Sequence, residues 1–183
     1  PTLLGEFGIK LVAMTNAAVA EGQGNTEADS TSFENVDAGA FVTLQTELGV
    51  WLPVTGKTIV DNKHAKSGMQ CLQLTGGETT SVSLQLAKEL DLTGDLTFWA
   101  ERWTSRSPFA FRIEKKTDAG WSLLYKGDRQ LRVGRAFLSQ VKIPLNDPNI
   151  THLRFQVQSP PETGVLIDDI RIGPAQPQVI TSA

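Results

Sequence analysis

From Phe41 onward the chain is a succession of short runs of aliphatic, aromatic and β-branched residues, each closed by turn-forming residues. The runs are Phe41–Leu44, Lys57–Val60, Met69–Leu74, Ser81–Leu86, Leu96–Trp103, Phe109–Lys115, Trp121–Tyr125, Phe137–Ile143, Leu153–Val157 and Val165–Ile172. Between them stand Gly76-Gly77, Thr93-Gly94-Asp95, Ser107-Pro108, Asp118-Ala119-Gly120, Gly127-Asp128, Asn146-Asp147-Pro148-Asn149 and Pro160-Pro161. Glycine permits a positive φ, proline fixes φ, and Asn or Asp closes a turn through its own side chain, so each cluster ends a strand. Strands broken every 8–15 residues or so predict an all-β fold, a sandwich of two antiparallel sheets. The one stretch of helical character, Leu86–Leu92, is cut short by Thr93-Gly94.

Alternation within the runs assigns faces. In Leu96–Trp103 one side carries Leu96, Phe98, Ala100 and Arg102, and the other carries Thr97, Trp99, Glu101 and Trp103. In the next run Phe109, Phe111 and Ile113 share a side, with Arg112 and Glu114 opposite. A strand half buried in a sandwich needs one apolar side only. The second side, mixing indole, acid and guanidinium, is either a wetted surface or a ligand platform.

Composition narrows the class. The chain has 183 residues, 40% of them hydrophobic, with a net charge of −3. That is enough apolar material for one ordinary domain, with no run of 18 apolar residues to span a membrane and no global attraction to nucleic acid. One cysteine, Cys71, excludes an intrachain disulfide and a thiolate metal knot. The compact unit is read as residues 31–172, between a segment and linker at 1–30 and a linker at 173–183. Ile9–Ala20 faintly resembles a secretory leader, and a strand or helix from a preceding part of a longer protein explains it better.

Two segments at the ends of the unit carry acids in unusual company: Phe33-Glu34-Asn35-Val36-Asp37 and Ile167-Asp168-Asp169-Ile170-Arg171-Ile172. Together with Ser67-Gly68-Met69-Gln70-Cys71-Leu72-Gln73-Leu74, their order resembles the jelly-roll modules of carbohydrate-binding and galactose-binding-like proteins. More narrowly, the set is similar to the jelly-roll modules beside the catalytic propeller in some bacterial sialidase-type glycoside hydrolases. The resemblance implies a jelly-roll sandwich with neighbouring first and last strands, a covalently linked neighbouring domain, and a secreted, periplasmic or cell-surface location. It also implies a structural Ca2+, for which Glu34, Asp37, Asp168 and Asp169 are the candidate ligands. Such an ion takes 6–8 oxygens and would offset the cost of burying a carboxylate among Leu166, Ile170 and Ile172.

Charge is distributed unevenly. Between Glu101 and Arg135 stand nine basic residues and four acids, and six of the eight arginines fall there. Arginine grips carboxylate and sulfate with a planar fork, and indoles offer flat surfaces on which sugar rings stack. The expectation is a sugar site of Trp99, Glu101, Trp103, Arg112, Trp121 and Arg129, suited to an anionic glycan. The bland reading of the same residues is a solvated face on which arginine stems cover tryptophan. Catalysis is poorly supported, since His64 and His152 accompany no nucleophile elbow and no zinc motif is present. Glu101 and Glu114, if on adjacent strands, are the one pair able to serve a jelly-roll glycosidase. Thr117-Asp118-Ala119-Gly120-Trp121 resembles the Asp-box of sialidase propellers but reads fully as a hairpin turn. The readings are therefore a carbohydrate-binding module, a structural or adhesive spacer, and a glycosidase.

Overall fold

A computed structural model describes residues 29–174; the 9–20 stretch, nearly all of the 1–30 segment and the tail beyond 174 lie outside the described residues. The strands are antiparallel and form two sheets. Sheet A runs β11 (Ser139–Pro144), β8 (Asp95–Arg102), β13 (Gly164–Gly173), β6 (Cys71–Thr75), β5 (Thr58–Asp61) and β2 (Gly39–Ala40), with β1 (Asp29–Thr31) paired to the end of β13. Sheet B runs β10 (Gly120–Lys126), β9 (Ala110–Thr117), β12 (His152–Gln158), β7 (Thr79–Leu86), β4 (Gly49–Thr55) and β3 (Leu44–Thr46). From β7 to β13 the chain crosses repeatedly between the sheets, as a jelly roll does.

The inner faces are the alternate apolar positions of the strands. Leu96, Phe98 and Ala100 of β8 face Phe111 and Ile113 of β9 and Leu153, Phe155 and Val157 of β12 across one core. Trp51 stands at its centre, with ring centroids 5.7 Å from Phe33 and 5.6 Å from Phe155, and its indole N–H donates to Thr46 Oγ1 at 2.9 Å. Among the described residues no helix forms, and Leu86 closes β7 rather than opening one.

Three strands, β1, β2 and β4, have no counterpart in the hydrophobic pattern, and of the expected Phe41–Leu44 run only Leu44 lies in a strand, β3. β4 contains Pro53, which argues against a paired strand. It is tolerated because β3 partners only Gly49–Trp51, leaving that side of Pro53 without a ladder. β1 lies where a linker was expected: Asp29 pairs with Ile172 and Thr31 with Ile170, so the unit reaches back at least to Asp29.

β13 shows how the acids are accommodated. Val165 and Ile167 face the core, and so do Ile170 and Ile172, which strict alternation forbids. A bulge between Asp168 and Arg171 in the pairing with β8 supplies the extra residue, and Asp169 takes φ 48° there. Aspartate is among the few residues that enter this left-handed region cheaply. An unbroken strand would point these adjacent acids to opposite sides of the sheet; instead Asp168 faces outward and Asp169 forms the bulge.

Because Phe155 touches both Trp51 and Phe98 and is fully buried, Phe155→Ala is expected to cost about 3–5 kcal/mol in urea unfolding. A loss below about 1 kcal/mol would contradict this account of the core.

Candidate functional site

The sequence-predicted sugar residues divide between opposite faces of the sandwich. Trp99 and Glu101 point outward from sheet A, with Trp103 just beyond the end of β8. Arg112 and Trp121 point outward from sheet B, and Arg129 is exposed in the turn after β10. The physical reason is the crossing after Trp103: β8 pairs with β11 and β13, and β9 pairs with β10 and β12. One platform cannot hold all six residues. The same crossing separates Glu101 from Glu114, so they form no acid/base pair.

On sheet A, Glu101 is almost wholly buried, and three N–H groups satisfy it. Oε1 accepts from the Trp103 indole at 3.1 Å, and Oε2 accepts from the backbone N–H of Ala136 at 3.0 Å and of Phe137 at 3.4 Å. Ala136 and Phe137 have φ of 70° and 52°, a consecutive left-handed pair that only a strong anchor maintains. Phe137 fills the space over Cys71 and Leu166, with Trp99 and Trp103 packed around it.

The loop at 62–70 closes the other side, held by carboxylates that accept its backbone N–H groups. Asp61 takes Lys63 at 3.2 Å and His64 at 2.8 Å; Asp168 takes Lys66 at 2.7 Å and Ser67 at 3.2 Å; Glu34 takes Met69 at 3.0 Å and Gln70 at 2.9 Å. Asp169 accepts the Ser67 hydroxyl at 2.5 Å. So placed, the loop lays Lys66 Nζ 4.1 Å from the Trp99 ring centre and the His64 ring 5.9 Å from Trp103. Between this loop and residues 134–137 opens a cavity of about 780 Å3, with Trp103 as one wall and Lys63, Arg135 and Glu162 on its rim.

Four acids surround Cys71. Burial chiefly, and then the charges of Asp61, Asp168, Glu101 and Glu34, push its thiol far above the ordinary range, so it remains an unreactive thiol. Three of the four expected calcium ligands, Glu34, Asp168 and Asp169, gather on the 66–70 loop. Asp37 is exposed and makes none of those bonds. Among the described residues no group of three His, Cys, Asp or Glu side chains is arranged to hold a metal ion. A Ca2+ there would draw most of its oxygens from backbone carbonyls.

Sheet B presents a different surface. Register aligns Trp121 with Lys116 and His152, and Leu123 with Glu114, Arg154 and Ser83. Arg154 forms an ion pair with Glu114 and lies 4.2 Å over the Trp121 ring, with Lys116 Nζ at 5.9 Å. His152 sits edge-on to Trp121 at 6.2 Å, and burial together with the Lys116 charge holds its pKa below the usual imidazole value. Arg112, Gln156 and Gln158 line a shallow hollow of about 90 Å3 beside them. Sequence reasoning missed Arg154 and the rim residues Lys63, Arg135 and Glu162. The rim residues lie in loops, which carry no periodicity.

No family model and no curated protein sequence matches the chain. The fold is shared with the CBM22-1 xylan-binding domain of Paenibacillus barcinonensis Xyn10C, at 19% identity and a TM-score of 0.51, over 83% of this chain and all of that one. It is also shared with the K1 cleaved adhesin domain of Lys-gingipain from Porphyromonas gingivalis, at 16% identity, a TM-score of 0.51, and 81% and 98% coverage. The K2 cleaved adhesin domain of Lys-gingipain aligns at 10% identity and a TM-score of 0.54, over 80% of this chain and 99% of that one.

Asp168 makes a pH prediction. Burial raises its pKa to about 6, overcoming the N–H bonds from Asp169, Lys66 and Ser67 that lower it. Unfolded, the same carboxyl titrates near 4. The folded state thus takes up the proton first, and the stability this group contributes grows as pH falls from about 7 to about 4. In the presence of chelator, Asp168→Asn should remove that rise, so that variant and wild type differ more favourably for the variant at pH 7 than at pH 4.5. Parallel urea midpoints at the two values contradict the assignment.

Proposed function

We propose that this domain is a non-catalytic carbohydrate-binding module whose glycan lies on the outer face of sheet B. The observation that carries the reading is the Trp121 ring backed by Arg154, on a face where Arg112 and Lys116 pair with no carboxylate among the described residues. Flat aromatic surface, amides from Gln156 and Gln158, and unspent cations suit a chain of sugars bearing carboxylate or sulfate. The xylan-binding domain that shares the fold is named for a polysaccharide, and sugar binding is carried to this chain on that basis together with the face itself. Glycosidic hydrolysis requires two carboxyl groups about 5–9.5 Å apart across the scissile bond. Glu101 and Glu114 lie on opposite sides of the sandwich, which favours binding without turnover.

The family resemblance extends the proposal to an accessory role in a secreted, sialidase-like glycoside hydrolase, with this domain tethered to a neighbour and raising the substrate concentration around it. The calcium ion belongs to the same proposal. Backbone carbonyls would supply most of its oxygens, and the ion would compensate Asp168, the carboxylate buried at the centre of sheet A.

On an array of sialylated, uronate-bearing, sulfated and neutral glycans, the full chain should select acidic sugars. Trp121→Ala should lower that affinity roughly tenfold or more, and raising the salt should weaken it further. Binding that ignores both changes removes the sheet B site. Silence from folded protein favours the spacer reading.

Calcium at about 100 times its dissociation constant adds about 2.7 kcal/mol, or roughly 5–10 °C in melting temperature. That increment should disappear in EDTA and in Asp168→Asn. An unchanged melting curve would show the N–H bonds to be sufficient.

A further inference from the structure

We infer that the cavity on sheet A is a second ligand site, one that takes a neutral pyranose ring at the end of a glycan. Its volume of about 780 Å3 falls within the range of small-molecule sites, roughly 300–1,000 Å3. Three of the six non-glycine residues with positive φ among the described residues, Ala136, Phe137 and Glu162, line it. Strain concentrated in one concavity, with Glu101 clamping two of the strained peptides, is the arrangement expected of a preformed ligand clamp.

The lining defines the chemistry. The Trp103 indole N–H is spent on Glu101, so the residue has only its ring to offer, an apolar surface matching the C–H face of a sugar. Lys63 and Arg135 on the rim are exposed and make no ion pair among the described residues, and neither does the exposed Glu162. Lys and Arg can only donate hydrogen bonds and an ionised Glu can only accept them, whereas a hydroxyl does both. Neighbouring hydroxyls of one ring can therefore satisfy both kinds of group together. The rim carries both signs, Lys63 and Arg135 against Glu162, so an anion or a cation leaves part of it mismatched. A neutral polyol meets neither penalty. This site stands apart from the sheet B face, and neither reading depends on the other.

The test is an 1H–15N titration of the full chain with methyl glycosides of glucose, galactose, mannose, xylose and N-acetylglucosamine, in about 0.5 M salt to suppress the sheet B surface. At least one glycoside should shift the Ala136, Phe137 and His64 amides saturably, with millimolar affinity. Arg135→Ala and Glu162→Ala, both at exposed positions, should each weaken it roughly tenfold without moving the melting temperature. Trp121→Ala should leave it unchanged. The inference fails if no glycoside shifts these amides up to about 50 mM, if binding survives both rim substitutions, or if Trp121→Ala abolishes it. A failure here leaves acidic-glycan binding at low salt standing as a separate question.

Discussion

The structure turns on a conflict within its central strand. β13 must send apolar side chains into the core at both ends and also present a carboxylate on its outer side, and an even alternation cannot do both. One extra residue at Asp169 resolves the conflict by shifting the phase of the second half of the strand. Asp168 is left facing out at the point where the 62–70 loop needs an acceptor. Without the bulge, Ile170 and Ile172 would turn to the wrong side, and β1 would lose the partner strand that seats it.

The outer side of sheet A is then built from charge rather than from apolar contact. Asp61, Glu101, Asp168 and Glu34 each accept two or more N–H groups from loops, so irregular backbone becomes as fixed as a strand. Buried carboxylates are tolerated on such terms because the desolvation cost is met by charge-assisted hydrogen bonds. Sheet B follows the opposite rule. Its acid Glu114 is already neutralised by Arg154, Lys115 and Lys126 pair with Asp147 and Asp128, and Arg112 and Lys116 are left without an ion pair among the described residues. The sandwich therefore has one side whose acids are spent on holding its own loops and one that keeps Arg112 and Lys116 without a carboxylate partner among the described residues, and the two sides suit ligands of different charge.

Strand pattern was legible where alternation was uninterrupted, in β8, β9 and β12, and in β13 where a long apolar run overrode its broken alternation; all four lie within a residue or two of their expected ends. β4 escaped because Pro53 interrupts it, although Trp51 in the same strand centres the core. Faces were legible too, since Trp99, Glu101 and Trp103 do share the outer side of sheet A. Pairing was not. Strands adjacent in sequence suggested adjacent strands in space, and a crossover leaves no mark on the composition of either strand it joins. The cavity rim was invisible for a related reason: Lys63, Arg135 and Glu162 come from three loops, the first two held by backbone N–H groups donating to Asp61 and Glu101. Asp168 was noticed as an anomaly of burial and Glu34 through the family resemblance, and the two do gather at one loop.

The pairing of β1 with β13 also sets how the domain responds to load. Asp29 lies opposite Ile172, so both ends of the unit meet at the same end of one short antiparallel ladder. A pull applied between them opens that ladder rung by rung instead of shearing all its bonds together. Among the described residues, the rungs from Asp29 to Thr31 stand in series before the force reaches Phe33 and the core around Trp51. Tension would therefore peel away a three-residue latch at low force, while the sheets, and both outer faces, remain intact behind it.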